Sequence, residues 1–291
     1  VKTVRYRLEA LAAATLFRLF AALPRRVAST LGGAAGRSIG WILPPVSKIA
    51  DRNLRRVWPD MDRSARRRII VGVWDNIGRN AAEMPHIHHC RIGPDGDIVV
   101  TGETILRDVA TASKPAIFVS AHLANWEIFA HTAAHYGLLV ARVYRAANNP
   151  LVEAQIQKIR AHVPGGCIPK GAKGAREILR ALSGGRSIGM LIDQRMSDGE
   201  IVPFFGLPAR TATAHVDLAL RFGCPIIPVQ GIRLPDSRFE IVMHPPITVT
   251  RDTRDAVLLQ LNQLLETWIR ARPEHWLWVH NRWKDARSAQ G

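Results

Sequence analysis

From residue 97 onward the chain alternates short apolar runs with longer segments of helical period, and this alternation limits the available folds more than any other feature. Ile98-Val99-Val100, Ala116 to Ser120, Leu138 to Val143, Ser187 to Ile192, Pro225 to Gly231 and Arg238 to His244 read as strands. Glu103 to Ala112, Ile128 to Tyr136, Leu151 to Arg160, Gly174 to Leu182, Ala212 to Phe222 and Asp255 to Arg272 read as helices. In the last of these, Leu258, Leu261, Leu264, Leu265 and Trp268 recur on one face. Strands separated by helices pair through crossovers, so the pattern predicts an α/β fold with a mostly parallel central sheet flanked by helices. At 291 residues with 47% hydrophobic and 22% charged residues, the chain can bury a substantial core and is not disordered.

The first 96 residues follow a different pattern. Lys2, Arg5 and Arg7 precede an apolar stretch from Leu8 to Leu23, which Glu9 and Arg18 interrupt. It falls short of the roughly 20 clean apolar residues a spanning helix needs. Leu8, Ala12, Leu16, Leu19, Phe20 and Leu23 share one helical face, with Arg7 and Arg18 opposite. That arrangement predicts an amphipathic helix lying in a membrane interface, with a soluble helix packed on the domain as the alternative. Arg18 also argues against a cleaved signal peptide. A soft boundary is expected near residue 30, dividing a 1–30 anchor from a 31–291 catalytic domain. The small residues of Leu31 to Arg37 predict close helix packing, and Asp51 to Pro59 form a basic amphipathic stretch suited to lipid headgroups. Residues 62–84 read as a helix with Ser64 as its N-cap.

Lys and Arg number 40 against 24 Asp and Glu, a formal charge of +16. The excess is mostly arginine, which suits an anionic partner: nucleic acid, an anionic membrane surface, a phosphorylated substrate or an acidic carrier protein. The three cysteines are widely spaced and form no CxxC, as expected of reduced thiols in a cytosol-facing protein. His86, His88, His89 and Cys90 match no common zinc signature and read as a polar loop or substrate-entry surface. No Walker loop, Rossmann glycine fingerprint, HExxH or GxSxG is present.

Chemistry is best sought in His122-Leu123-Ala124-Asn125-Trp126-Glu127, where a strand turns into a helix. On a regular helix an i, i+5 pair would diverge by roughly 140°. His122 must therefore end the strand, with Asn125 capping the next helix and Glu127 in its first turn, facing back to the imidazole. The carboxylate would hold one ring nitrogen while the other takes a proton. Alternatively, His122 is a satisfied core histidine and Glu127 a helix-start carboxylate. Three further clusters sit at inferred strand ends, where open α/β sheets bind ligands. They are Tyr144 to Pro150, with Arg145 as an anion contact and Asn149 beside it; Ile192 to Arg195, with Asp193 and Gln194; and Pro203 to Thr211. In the last, Phe204, Phe205 and Leu207 suit an acyl channel, and Arg210 with Thr211 a phosphate contact at a helix start.

Taken in order, several stretches resemble the late acyltransferases of lipid A biosynthesis, the lauroyl/myristoyl transferase family within the His-x4-Asp/Glu glycerolipid acyltransferases. They are Asn53-Leu54 with Trp58-Pro59; Asn76 to Arg79 with Glu83; His122 to Glu127; Arg145 with Asn149-Pro150; Leu191 to Gln194; Phe204-Phe205-Gly206; Pro225 to Pro228; and Trp276 to Lys284. Ala124 departs from the family's usual glycine. The resemblance implies a glycerolipid acyltransferase-like fold and an enzyme at the cytoplasmic face of a bacterial inner membrane. It also implies that an acyl chain moves from acyl carrier protein to a hydroxyl of a phosphorylated glycolipid, a lipid A precursor, in lipopolysaccharide biosynthesis. His122 would be the general base and Glu127 its partner, with Arg145 stabilising charge and Asp193 positioning. No metal or organic cofactor and no nucleic acid are expected. The rival readings are acylation of another glycolipid or of glycerol phosphate, and a non-enzymatic basic membrane- or nucleic-acid-binding protein. Trp276 and Trp278, alternating with Leu277 and Val279, read as strand packing.

Overall fold

The computed structural model describes residues 2–112 and 114–284, so the expected 1–30 and 31–291 segments extend past the described residues at their ends. Four helices open the chain: α1 (Lys2–Ala22), α2 (Arg25–Ile42), α3 (Pro44–Val57) and α4 (Arg63–Glu83), followed by a 3₁₀ turn, Met84–His89. The α/β part then runs β1 (Ile98–Thr101), α5 (Glu103–Thr111), β2 (Ile117–Ser120), α6 (Ile128–His135), β3 (Val140–Tyr144) and α7 (Pro150–Arg160). It continues with β4 (Cys167–Pro169), α8 (Ala172–Ser183), β5 (Ser187–Leu191), β6 (Glu200–Phe204) and β7 (Leu207–Thr211). The last elements are α9 (Ala214–Phe222), β8 (Ile226–Arg233), β9 (Phe239–Met243) and α10 (Arg254–Ala271).

Seven strands form one sheet in the order β1-β9-β8-β2-β5-β3-β4, parallel except for the β8–β9 pair. The expected α/β architecture is thus present. Strand β2 shows why it forms: Ile117 and Val119 enter one core, with α8, α9 and α10, while Phe118 enters the other, with α5 and α6. A strand buried on both faces reads as a continuous apolar run, which is how this segment appears in sequence.

Three strands have no clear signal in sequence. β4 is three residues long. β6 and β7 form a separate hairpin whose two-residue turn, Phe205-Gly206, has φ of 55° and 70°. Two positive φ values make the type I′ turn favoured in tight hairpins, and Phe205 is an unusual occupant of the first position. Its amide donates to Glu266 Oε1 at 2.6 Å, and the Arg270 guanidinium lies 4.7 Å from its ring centroid.

The C-terminal tryptophans correct another expectation. Trp276 and Trp278 lie in an irregular segment, not a strand, apart from a single bridge between Leu123 and Trp276. With Trp283 they are at most 1% exposed and pack on Phe204 and Phe205, so they offer no surface for stacking bases.

At the N-terminal end, the face of α1 turned to the protein carries Tyr6, Ala10, Ala13, Phe17 and Phe20. Gln155 Nε2 donates to Ala10 O at 2.8 Å and Asn149 Nδ2 to Tyr6 O at 2.9 Å. Leu8, Leu16 and Leu19 remain 63%, 52% and 58% exposed. The helix is therefore docked by one face and presents leucines on another. No described helix is long and apolar enough to cross a membrane. The soft boundary near residue 30 falls inside α2, where Ser29 Oγ donates to Glu83 Oε1 at 2.6 Å and Arg25 pairs with Asp97. The cap of α4 is Asp62, which accepts from the Ala65 amide at 2.9 Å, in place of the expected Ser64.

The small residues of α2 do serve close packing. A Cβ on Gly78 of α4 would stand 2.0 Å from Gly32 O, and one on Gly36 would stand 2.1 Å from Trp74 O. Neither helix has room for a methyl group. Gly78→Ala is expected to lower stability by about 1–3 kcal/mol, the usual cost of over-packing. It should appear as a lower urea midpoint at unchanged m-value.

Candidate active site

The parallel pairing of β2 with β5 sets Ser120 opposite Leu191. Two residues beyond each strand end stand His122 and Asp193, brought together by neighbouring strands roughly 4.8 Å apart. His122 Nδ1 lies 2.8 Å from Asp193 Oδ1, and Trp276 Nε1 donates to Asp193 Oδ2 at 2.8 Å. Burial alone would raise the Asp193 pKa, but the charge and hydrogen bond of His122, with the Trp276 indole, hold it down at about 2. An ionised carboxylate only accepts, so the His122 Nδ1 is the donor, and Nε2 is the ring nitrogen left toward the cavity. The Gln194 amide is 3.5 Å from Nε2, and Trp126 packs edgewise on the ring at 5.0 Å between centroids.

This corrects the expected pairing. His122 does precede the helix, but Glu127 is held from the other side by Arg160 at the end of α7. Arg160 Nε donates to Glu127 Oε2 at 3.1 Å, and Nη2 donates to Oε1. No hydrogen bond between Glu127 and His122 occurs among the described residues. Asn125 does not cap the helix as expected: Glu127 itself stands at the N-cap of α6, and Asn125 Oδ1 closes the turn before it by accepting from the Glu127 amide at 3.1 Å, while its Nδ2 donates to buried Glu83 at 2.9 Å.

The turn itself is clamped. Ala124 has φ of 46°, a left-handed conformation that disfavours any residue with a Cβ. Its carbonyl accepts from the side-chain amides of Asn76 (3.0 Å) and Asn80, and its amide donates to His275 O at 3.1 Å. Arg233 of β8 orients both asparagines, at 3.1 Å to Asn76 Oδ1 and 2.7 Å to Asn80 Oδ1, and also pairs with Glu83. Alanine therefore occupies the position where the resembled family usually has glycine, held there by three hydrogen bonds.

A cavity of about 290 Å³ opens at His122. Phe118, Phe129, Val140, Met190, Val229 and Ile241 make its wall apolar, and Glu127, Arg145, Arg160, Lys170 and Gln194 supply polar groups. Of the residues expected from sequence, His122, Asn125, Glu127, Arg145 and Gln194 line it, and Asp193 supports it from behind. The others do not. Asn149 caps α7, accepting from the Leu151 amide at 3.0 Å, and anchors α1. Phe204 and Phe205 belong to the tryptophan cluster. Arg210 and Thr211 end β7 rather than begin a helix, and they are engaged by buried Arg282, which donates to Arg210 O and, at 2.8 Å, to Thr211 Oγ1.

Sequence reasoning missed Arg160, Lys170 and Trp276, which come from distant loops and helix ends with no local spacing to reveal them. His280 Nε2 accepts from the Arg195 amide at 3.0 Å, and burial pushes its pKa down to about 4, keeping it neutral for that role. The other histidines of note lie elsewhere: His88 stacks on His162 at 4.7 Å. Among the described residues no group of three or more His, Cys, Asp or Glu side chains is arranged to hold a metal ion.

Because the folded pKa of Asp193 lies below the ordinary carboxylate range, its contribution to stability is full above about pH 4 and is lost as pH falls through about 2. The loss is on the order of 2 kcal/mol. Melting temperature measured against pH should fall across this window in the native chain and less steeply in Asp193→Asn.

The model of the family described as bacterial lipid A biosynthesis acyltransferase matches residues 1–285. The chain is also 26% identical over 273 residues to a lipid A biosynthesis lauroyltransferase of Escherichia coli (strain K12), covering 90% of this chain and 87% of that one. The match spans the helical N-terminal part, the sheet and the cavity alike. The chain belongs to the bacterial lipid A biosynthesis acyltransferase family.

Proposed function

We propose that this acyltransferase moves a fatty acyl chain from acyl carrier protein to a hydroxyl of a phosphorylated lipid A precursor, at the cytoplasmic face of the inner membrane. The observation that carries the reading is the His122–Asp193 pair at a cavity with apolar walls and cationic groups. Its apolar depth suits a hydrocarbon chain, and its lone pair at Nε2 suits a hydroxyl proton. The relative's role as a lauroyltransferase supports the same chemistry.

In the reaction, Nε2 of His122 accepts the acceptor's hydroxyl proton as the oxygen attacks the thioester carbonyl. Asp193 stabilises the imidazolium that forms. The tetrahedral intermediate collapses with cleavage of the C–S bond, and the imidazolium returns its proton to the departing thiolate. General-base help of this kind contributes about 10²–10⁴-fold. Glu127 acts one step removed by fixing the Arg160 guanidinium, whose charge favours the developing oxyanion in a water-poor cavity. Arg145 and Lys170, both exposed at the cavity, suit the phosphates of the acceptor or of the donor's carrier arm. The exposed leucines of α1 and the net charge of +16 support residence on an anionic membrane.

With purified protein, acyl carrier protein thioesters and a lipid A precursor, mass spectrometry should show the acylated product. His122→Ala should abolish it, and Asp193→Asn should reduce kcat by about 10²–10⁴-fold. Full activity in His122→Ala, or equal turnover of acyl-CoA and glycerol phosphate, would overturn the reading.

Donor length should respond to Gly231, which lines the cavity and whose added Cβ would meet nothing closer than 3.9 Å. Gly231→Val is expected to shift preference toward shorter acyl chains, read as a changed ratio of kcat/KM across a thioester series.

A further inference from the structure

Helix α2 is built inside out. Its inward face is made of small residues, Ala28, Gly32 and Gly36, pressed against α4. Its outward face carries a stripe of apolar side chains at helical spacing: Val27 (44% exposed), Leu31 (50%), Ile39 (45%) and Ile42 (74%). At the sharp joint with α3 the stripe ends in a tip formed by Trp41, 77% exposed, with Ile42 and Leu43. Solvent-facing apolar chains in a continuous run mark an interaction surface.

Charge indicates what the surface takes. Beside the tip a groove of about 510 Å³ lies between α2, α3 and α4, carrying Arg37, Lys48, Arg55, Arg63 and Arg67. Asp51, the acid in its lining, is already bound by Arg55 and by Arg66, each at 2.8 Å, and Arg37 pairs with Asp75. Lys48, Arg63 and Arg67 are exposed, and no ion pair engages them among the described residues. A projecting indole with aliphatic neighbours, backed by unneutralised cations, fits the boundary between acyl chains and phosphate headgroups. An acidic protein would answer the cations but leave the projecting tip without a soft medium to enter.

We infer that the α2–α3 joint is a second membrane contact, in which Trp41, Ile42 and Leu43 enter an anionic bilayer surface while Lys48, Arg63 and Arg67 pair with lipid phosphates. The inference extends the membrane setting of the proposed reaction, since α1 alone would leave the protein free to roll about one helix. Helix α4 links this contact to the reaction centre. Arg67 lies at its outer end, and Asn80 holds the Ala124 turn about 20 Å further along.

Flotation of the full chain with vesicles of equal parts phosphatidylglycerol and phosphatidylcholine tests it. Trp41→Ser/Ile42→Ser and Arg63→Glu/Arg67→Glu should each weaken association about tenfold or more, the second pair most at low salt. Both variants should melt like the native chain and keep its acyl transfer rate on detergent-dispersed acceptor, so loss of that activity in the native chain would count against the proposed reaction alone. Native-like vesicle binding by both variants would overturn the inference. So would retained vesicle binding with lost binding of acyl carrier protein, which would assign the surface to that partner instead.

Discussion

A buried carboxylate is tolerable only where its charge is answered, and Asp193, 2% exposed, is answered on both oxygens. The His122 imidazole takes one and the Trp276 indole the other. This chain of two hydrogen bonds joins three distant parts of the sequence: the ends of β2 and β5 and the C-terminal irregular segment. It fixes the tautomer of His122 and leaves Nε2 toward the cavity. It also ties the tryptophan-rich segment to the end of β5: without Trp276, one buried carboxylate oxygen would lose its donor.

Around this centre the structure separates two ionic tasks. Asp193 serves the histidine, and Glu127 serves Arg160, which comes from the far end of α7. Both pairs flank one cavity, yet they hold different kinds of group, an imidazole and a guanidinium. The turn between them is kept in a left-handed conformation at Ala124 by side chains of α4, which Arg233 of β8 in turn orients. The N-terminal helices therefore do more than carry apolar surface, since α4 is part of the scaffold that shapes the His122 turn.

The alternation of strands and helices was legible because β2, β3, β5 and α10 carry strong local patterns of one period or the other. The hairpin β6–β7 was not. Pro203 and Pro208 argue against strands, and Phe205 occupies a turn position that normally takes Asn, Asp or Gly. The alternation of Trp276 to Val279 imitated a strand because burial, not pairing, selected the residues. At the site, His122, Arg145 and Asp193 could be placed at strand ends from sequence, but their mutual contacts could not. The His122–Asp193 contact depends on which strand lies beside β2 and in what register, and Glu127 appeared the natural partner only because it is close along the chain. Asn149 does follow a strand, but it caps α7, and Arg210 with Thr211 lie in the unforeseen strand β7, where the buried Arg282 engages them.

The central claim is that Asp193, rather than Glu127, holds the His122 ring. Nitrogen-15 NMR of histidine-labelled protein reads it directly through the His122 ring. The account predicts an Nδ1 proton hydrogen-bonded to a carboxylate, a signature lost in Asp193→Asn and retained in Glu127→Gln. Loss of that signature in Glu127→Gln, with none in Asp193→Asn, would contradict it.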